Sequence, residues 1–136
     1  QALSDLKAGK DIVLAVDNCF ATPILQTPLD MGADLVIHSA TKFIDGQGRV
    51  LGGIICGKKE LIQEIRFFAR HTGPSLSPFN AWILSKSLEL LELRMQKHSE
   101  NAMALALALD GHKALHAVNY PFLPAHQCPE IDQEQH

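Results

Sequence analysis

Residues 12–42 read IVLAVDNCFATPILQTPLDMGADLVIHSATK, and the two ends of this stretch decide the fold. Ile12 to Val16 is a short apolar run rich in branched residues that stops on Asp17. Branched side chains suit a pleated surface covered on both faces, so the run predicts a buried strand. Asp34 to Ile37 repeats the pattern and runs into His38-Ser39-Ala40-Thr41-Lys42. Between them Pro23 and Pro28 interrupt the chain, and Gly32 supplies a turn before Ala33. Two buried strands joined by a crossover predict a parallel sheet and an α/β fold.

Before this stretch, Ala2 to Lys10 holds helix formers and ends near Gly9. After it, Asp45 to Gly53 carries four glycines among mainly polar residues and reads as a loop, followed by a third short strand, Gly53 to Gly57. From Lys58 the period becomes helical: Leu61, Ile62, Ile65 and Phe68 share a face, and Gly73-Pro74 ends the pattern. Ser77 as cap and Pro78 in the first turn open a second, longer helix that runs to Asp110-Gly111. Within it Ala102 to Leu109 alternates with a period of two. Its residues are nonetheless strong helix formers in an unbroken helical context, which predicts helix. Leu115 to Val118 is expected as a short strand before a polar tail, Pro129 to His136.

With 136 residues, 46% hydrophobic and 20% charged, the chain can bury one ordinary core. Twelve Lys and Arg against fifteen Asp and Glu leave a net charge of −3, the wrong sign for a nucleic-acid or membrane-surface binder. No apolar run approaches the roughly 20 residues of a membrane helix. Cys19, Cys56 and Cys128 form an odd, widely spaced set without CxxC pairing, which points to a reducing compartment and a cytoplasmic protein. Opening on Gln1 rather than Met, the chain reads as a piece of a longer protein.

Asp17, the run His38 to Lys42 and the glycine-rich loop gather at strand ends, where open parallel sheets bind ligands. A lysine there can act as a Schiff-base nucleophile, because its amine loses its proton readily when desolvated. Ser39 and Thr41 offer hydroxyls to a phosphate, and an aspartate can stabilise the protonated ring nitrogen of a pyridoxal cofactor. Singly, each has an ordinary reading: a solvated lysine, a turn aspartate, hydroxyls bound to local backbone. Gly46, Gly48, Gly52 and Gly53 with Gln47 and Arg49 do not match a nucleotide P-loop. The seven histidines form no HExxH pattern, and His126 with Cys128 is too isolated a pair to suggest a metal.

Val16-Asp17-Asn18-Cys19-Phe20-Ala21-Thr22-Pro23, with Ser39-Ala40-Thr41-Lys42-Phe43 at the matching distance, resembles the signature of the Cys/Met-metabolism family of pyridoxal-phosphate enzymes. The likeness continues through Gly52-Gly53, Gly73 to Trp82, Leu93-Arg94-Met95 and Asn101-Ala102, covering about Lys10 to Ala125. Asp45-Gly46-Gln47-Gly48-Arg49 is most similar to O-succinylhomoserine sulfhydrylases. The resemblance implies part of the large cofactor domain of the aspartate-aminotransferase-like fold, with three short, mostly parallel strands and a long C-terminal helix. Residues 1–112 would belong to that domain, and 113–136 to the start of a small domain or a tail. It implies pyridoxal 5′-phosphate as cofactor, with Lys42 bound covalently to it and moving protons, Asp17 on the ring nitrogen, and Ser39 and Thr41 on the phosphate. Cys19 stands where many relatives have threonine, and Phe43 where tyrosine is common.

The reaction so implied is replacement of the acyl group on an O-acylated homoserine by sulfur, giving homocysteine, in a parent enzyme that is a homo-oligomer, typically a tetramer. The isolated chain would bind cofactor weakly at most. Two alternatives stay open: a cystathionine γ-synthase or γ-lyase type member, and a non-catalytic remnant whose Trp82 and leucine-rich helix faces serve assembly. A nucleotide-phosphate binder built on Gly46 to Gly53 is the weakest reading.

Overall fold

The computed structural model describes residues 2–7 and 9–123. Expectations for His126, Cys128 and the tail 129–136 lie outside them. The chain divides into two compact units, Gln1–Leu91 and Glu92–His136.

The first unit begins with helix α1 (Ala2–Lys7) and strand β1 (Ala15–Asp17). A single helical turn, α2 (Thr22–Leu25), leads to β2 (Leu35–Ser39), which pairs with β1 in parallel, Asp17 opposite Ile37. The sequence predicts β1 from Ile12, but the ladder starts later because its partner is short. Leu14 instead accepts the Asp34 and Leu35 N–H groups at 2.8 and 3.2 Å, ahead of the first strand pair.

A π-helical turn, Ala40–Ile44, and a loop then bring the chain back to β3 (Gly53–Gly57), antiparallel to β2 with Ser39 opposite Gly53. The α/β class stands, and the sheet is mixed: one parallel and one antiparallel pairing, order β1-β2-β3, in place of mostly parallel strands. The reason is the connection. No element crosses back over the sheet between β2 and β3, so β3 must start at the edge where β2 ends. Val36, Ala40, Ile44, Val50 and Leu84 form the buried apolar centre of this unit.

Helix α3 (Lys59–Thr72) stops where predicted, on Gly73 with φ 95°, whose N–H closes on Ala69 O at 3.0 Å. Ser77 caps α4 (Pro78–Leu88) by accepting the Asn80 N–H at 3.1 Å. The long C-terminal helix is in fact two, because α4 ends at Leu88 and α5 spans Leu91–Leu109. No proline or glycine marks the break. Ser87 Oγ donates to Ile83 O at 2.8 Å, a bond that competes with the helical ladder, and Leu90 N–H turns back to Ser87 O, three residues earlier, through a long bond of 3.4 Å.

In the second unit Ala102 to Leu109 is helical as expected, with Met95, Ala106 and Leu123 buried. Leu115 to Val118 forms no strand. Leu115 N–H bonds to His112 O at 2.9 Å and Ala114 N–H to His112 Nδ1 at 3.2 Å, so local turns take up the groups a ladder would need. Among the described residues no helix is long and apolar enough to cross a membrane.

Candidate functional site

The pairings Asp17 opposite Ile37 and Ser39 opposite Gly53 place Asp17, Ser39 and the Gly52-Gly53 step on one edge of the sheet. This is the edge where β1 and β2 finish, and the lysine-bearing turn starts there.

Asp17 and Ser39 are joined through Cys19. Its backbone N–H donates to Asp17 Oδ1 at 3.0 Å, and its sulfur accepts the Ser39 N–H at 2.7 Å. Hydrogen bonds from the Cys19 side chain and backbone hold the Asp17 carboxyl below its ordinary value, and the charge of His38 adds to them. Burial pushes the Cys19 thiol up, and the bond to Asp17 pushes the same way while Lys42 opposes. The pair therefore stays a carboxylate beside a neutral thiol donor.

The loop after β1 is tightly made. Asn18 is buried, and its Nδ2 donates to Thr22 O at 3.0 Å and Gln26 O at 2.9 Å, while its Oδ1 accepts no hydrogen bond among the described residues. Asn18 O lies 3.1 Å from Nδ1 of the buried His38. Thr22, fully buried, has φ 58°, a conformation a β-branched residue enters only when its surroundings force it. Asn18 does so from both directions, since Thr22 N–H also bonds to Asn18 O at 3.1 Å.

Lys42 sits in the π-helical turn as the one residue there with non-helical backbone angles, φ −79° and ψ −120°. Its carbonyl accepts Gly46 N–H at 2.8 Å. Its exposed side chain makes no hydrogen bond or ion pair among the described residues, and the Ser39 hydroxyl makes none either. Thr41 differs from both. Its Oγ accepts Gly52 N–H at 3.0 Å and donates to Gly52 O at 3.3 Å, fastening the turn to the start of β3. Asp17, Ser39 and Lys42 thus share one edge with an anion, a hydroxyl and an uncompensated amine. Thr41 is committed to backbone.

Sequence reasoning gave Asp45 and Arg49 a family likeness but no structural role, and passed over Ser87. Asp45 is fully buried and paired with Arg49, and Arg49 reaches Ser87 in α4. An aspartate and an arginine in a glycine-rich loop read as solvated. Only the four-residue spacing, which suits an ion pair, hints otherwise.

A family model described as Cys/Met metabolism PLP-dependent enzyme matches residues 1–136. The O-succinylhomoserine sulfhydrylase of Pseudomonas aeruginosa is 52% identical over 134 residues, 98% of this chain and 33% of that protein. That of Mycobacterium tuberculosis is 49% identical over 94% of this chain and 31% of its own length. The crystal structure of cystathionine gamma synthase from Xanthomonas oryzae pv. oryzae in complex with cystathionine superimposes with a TM-score of 0.93 at 38% identity, over 98% of this chain and 35% of that one. The chain spans about a third of the length of these relatives.

Proposed function

Because the chain belongs to the Cys/Met metabolism PLP-dependent enzymes, we propose that it is the cofactor-anchoring part of an O-succinylhomoserine sulfhydrylase-like transferase. That enzyme would act in methionine biosynthesis, exchanging the γ-acyl group of an O-acylated homoserine for sulfur. The observation that carries the reading is Lys42, an amine with no counter-ion among the described residues, on the sheet edge that also bears Asp17 and Ser39. The donor set fits pyridoxal phosphate, which offers a basic ring nitrogen, an aldehyde and a phosphate to a carboxylate, an amine and a hydroxyl.

When bound, that cofactor supplies an electron sink for negative charge developing on the substrate's carbons. Asp17, kept ionised by Cys19, would hold the ring nitrogen protonated. Ser39 has a free hydroxyl proton for the phosphate. Thr41 would join it only by releasing the Gly52 carbonyl, since one hydroxyl proton serves one acceptor. Lys42 would anchor the group, then take and return protons at the substrate's α and β carbons, a role suited to an amine with no partner to displace.

In this reading residues 1–112 are part of the cofactor domain and 113–136 lead out of it. The parent is a cytoplasmic homo-oligomer, in keeping with the free Cys19 and Cys56 and the exposed Phe67, Phe68 and Trp82, which invite cover. The 42% identity to the cystathionine gamma-synthase of Mycobacterium bovis keeps that chemistry as the second reading.

The test is incubation with excess pyridoxal phosphate, borohydride reduction and peptide mapping. Label concentrated on Lys42 is expected. Label spread evenly over Lys58, Lys59 and Lys86 would overturn the reading.

A further inference from the structure

Asp45 is fully buried, and an ionised carboxylate is buried only where its partners compensate. It accepts the backbone N–H groups of Arg49 at 2.7 Å and Gln47 at 3.3 Å, and Arg49 Nε at 3.0 Å. Burial raises the Asp45 carboxyl, but these bonds outweigh it and hold the group below its ordinary value. Arg49 Nη2 lies 2.9 Å from Asp45 Oδ1 and donates to Ser87 Oγ at 2.7 Å. Ser87 Oγ passes the chain of bonds to Ile83 O, so one guanidinium connects the loop to the body of α4.

The same loop closes the lysine turn. Asp45 N–H donates to Ala40 O and Gly46 N–H to Lys42 O, each at 2.8 Å. The carbonyl of Lys42 is therefore held by the residue next to Asp45, and Asp45 is held through Arg49 to a helix. A loop needed only to reverse the chain between β2 and β3 would not require a buried charge.

We propose that Arg49 is a positioning residue for Lys42: by joining buried Asp45 to Ser87 of α4, it fixes the turn from which the Lys42 amine extends. The proposal rests on Lys42 being the cofactor lysine. Arg49 acts through Asp45 and the turn and itself contacts no reacting group. Its removal frees the turn to shift, and a displacement of about 1 Å is enough to cost roughly a hundredfold in a reaction that depends on placement.

The experiment measures, in the full chain, the rate of reducible pyridoxal-phosphate labelling at Lys42 relative to Lys58 and Lys59, for wild type, Arg49→Ala, Arg49→Lys and Ser87→Ala. Arg49→Ala is expected to lower the Lys42 ratio roughly tenfold to a hundredfold. Ser87→Ala, which leaves Asp45 paired, should lower it less. Arg49→Lys should recover only part, since a compact ammonium lacks the planar fork whose Nε and Nη2 reach Asp45 and Ser87 from separate nitrogens. Added guanidinium ion should raise the ratio in Arg49→Ala, a response that general loosening of the fold would not give. If Arg49→Ala does not fold, Ser87→Ala decides alone. Preference for Lys42 in wild type with an unchanged ratio in folded variants overturns this proposal and leaves the function reading standing. No preference in wild type overturns both.

Discussion

The two ends of the small sheet carry the same kinds of charged side chain and treat them in opposite ways. At the end where β2 begins, Asp34 is buried and saturated: Lys7 and Lys58 both pair with it and Leu14 N–H donates to it at 2.8 Å. At the other end, among the described residues, Asp17 has no ion pair and Lys42 pairs its amine with nothing, although the sheet is only a few residues long. Pairing them would satisfy local electrostatics, as it does around Asp34. Leaving them apart keeps a carboxylate and an amine available, which is what the proposed cofactor role of Asp17 and Lys42 requires. One end holds the sheet, and in the proposed function the other holds the cofactor.

Four substitutions break or sharpen that contrast. The largest effect is expected from Lys42→Ala, which should abolish the mapped borohydride adduct while leaving the thermal transition in place; an adduct of undiminished yield elsewhere would erase the distinction between the two ends. Next, Asp17→Asn should weaken pyridoxal-phosphate retention roughly tenfold to a hundredfold, the scale of one charged hydrogen bond. A binding titration followed by absorbance checks it, and an unchanged midpoint would remove Asp17 from the site.

The remaining two address the closed end. A Cβ at Gly57 would lie 2.3 Å from Asp34 O and 3.1 Å from Leu35 Cα. Gly57→Ala should therefore cost roughly 1–3 kcal/mol in denaturant unfolding, since backbone cannot step aside as a side chain can. Its folded fraction should still label at Lys42. Asp34→Asn should lower stability near neutrality in a pH-dependent way. Lys58, Lys7 and the Leu14 N–H hold the Asp34 carboxyl well below the usual range, so the folded chain takes its proton less readily than the unfolded one. The contribution is then fully present above the ordinary carboxylate value of about 4 and lost as the pH falls below it. Thermal melts should show the gap between wild type and variant closing in acid; a gap independent of pH would mean Asp34 acts by shape alone.

Much of the open end was legible in the sequence. Apolar runs ending on Asp17 and on Ser39 to Lys42 locate two strand ends, and the α/β class follows from them. The closed end was not legible, because Lys7, Asp34 and Lys58 are far apart in sequence and each looks like a surface charge. The same blindness explains the other misses. The direction of β3 depends on where a glycine-rich connection lands. The break between α4 and α5 depends on Ser87, whose hydroxyl serves both Ile83 O and Arg49. The contact of the Thr41 hydroxyl with Gly52 joins two segments eleven residues apart, which residue type does not announce. Periodicity reports what one element needs, and these features are bargains between elements.

Thr22 has a practical meaning for anyone engineering this scaffold. A buried β-branched residue at φ 58° stores about 1–3 kcal/mol that Asn18 and the turn around it must supply. Asparagine tolerates that conformation far better and keeps an oxygen for the Ile24 N–H that Thr22 Oγ accepts at 3.3 Å. Position 22 thus stores backbone strain that asparagine would release as stability only where its added amide N–H groups find acceptors in this fully buried site.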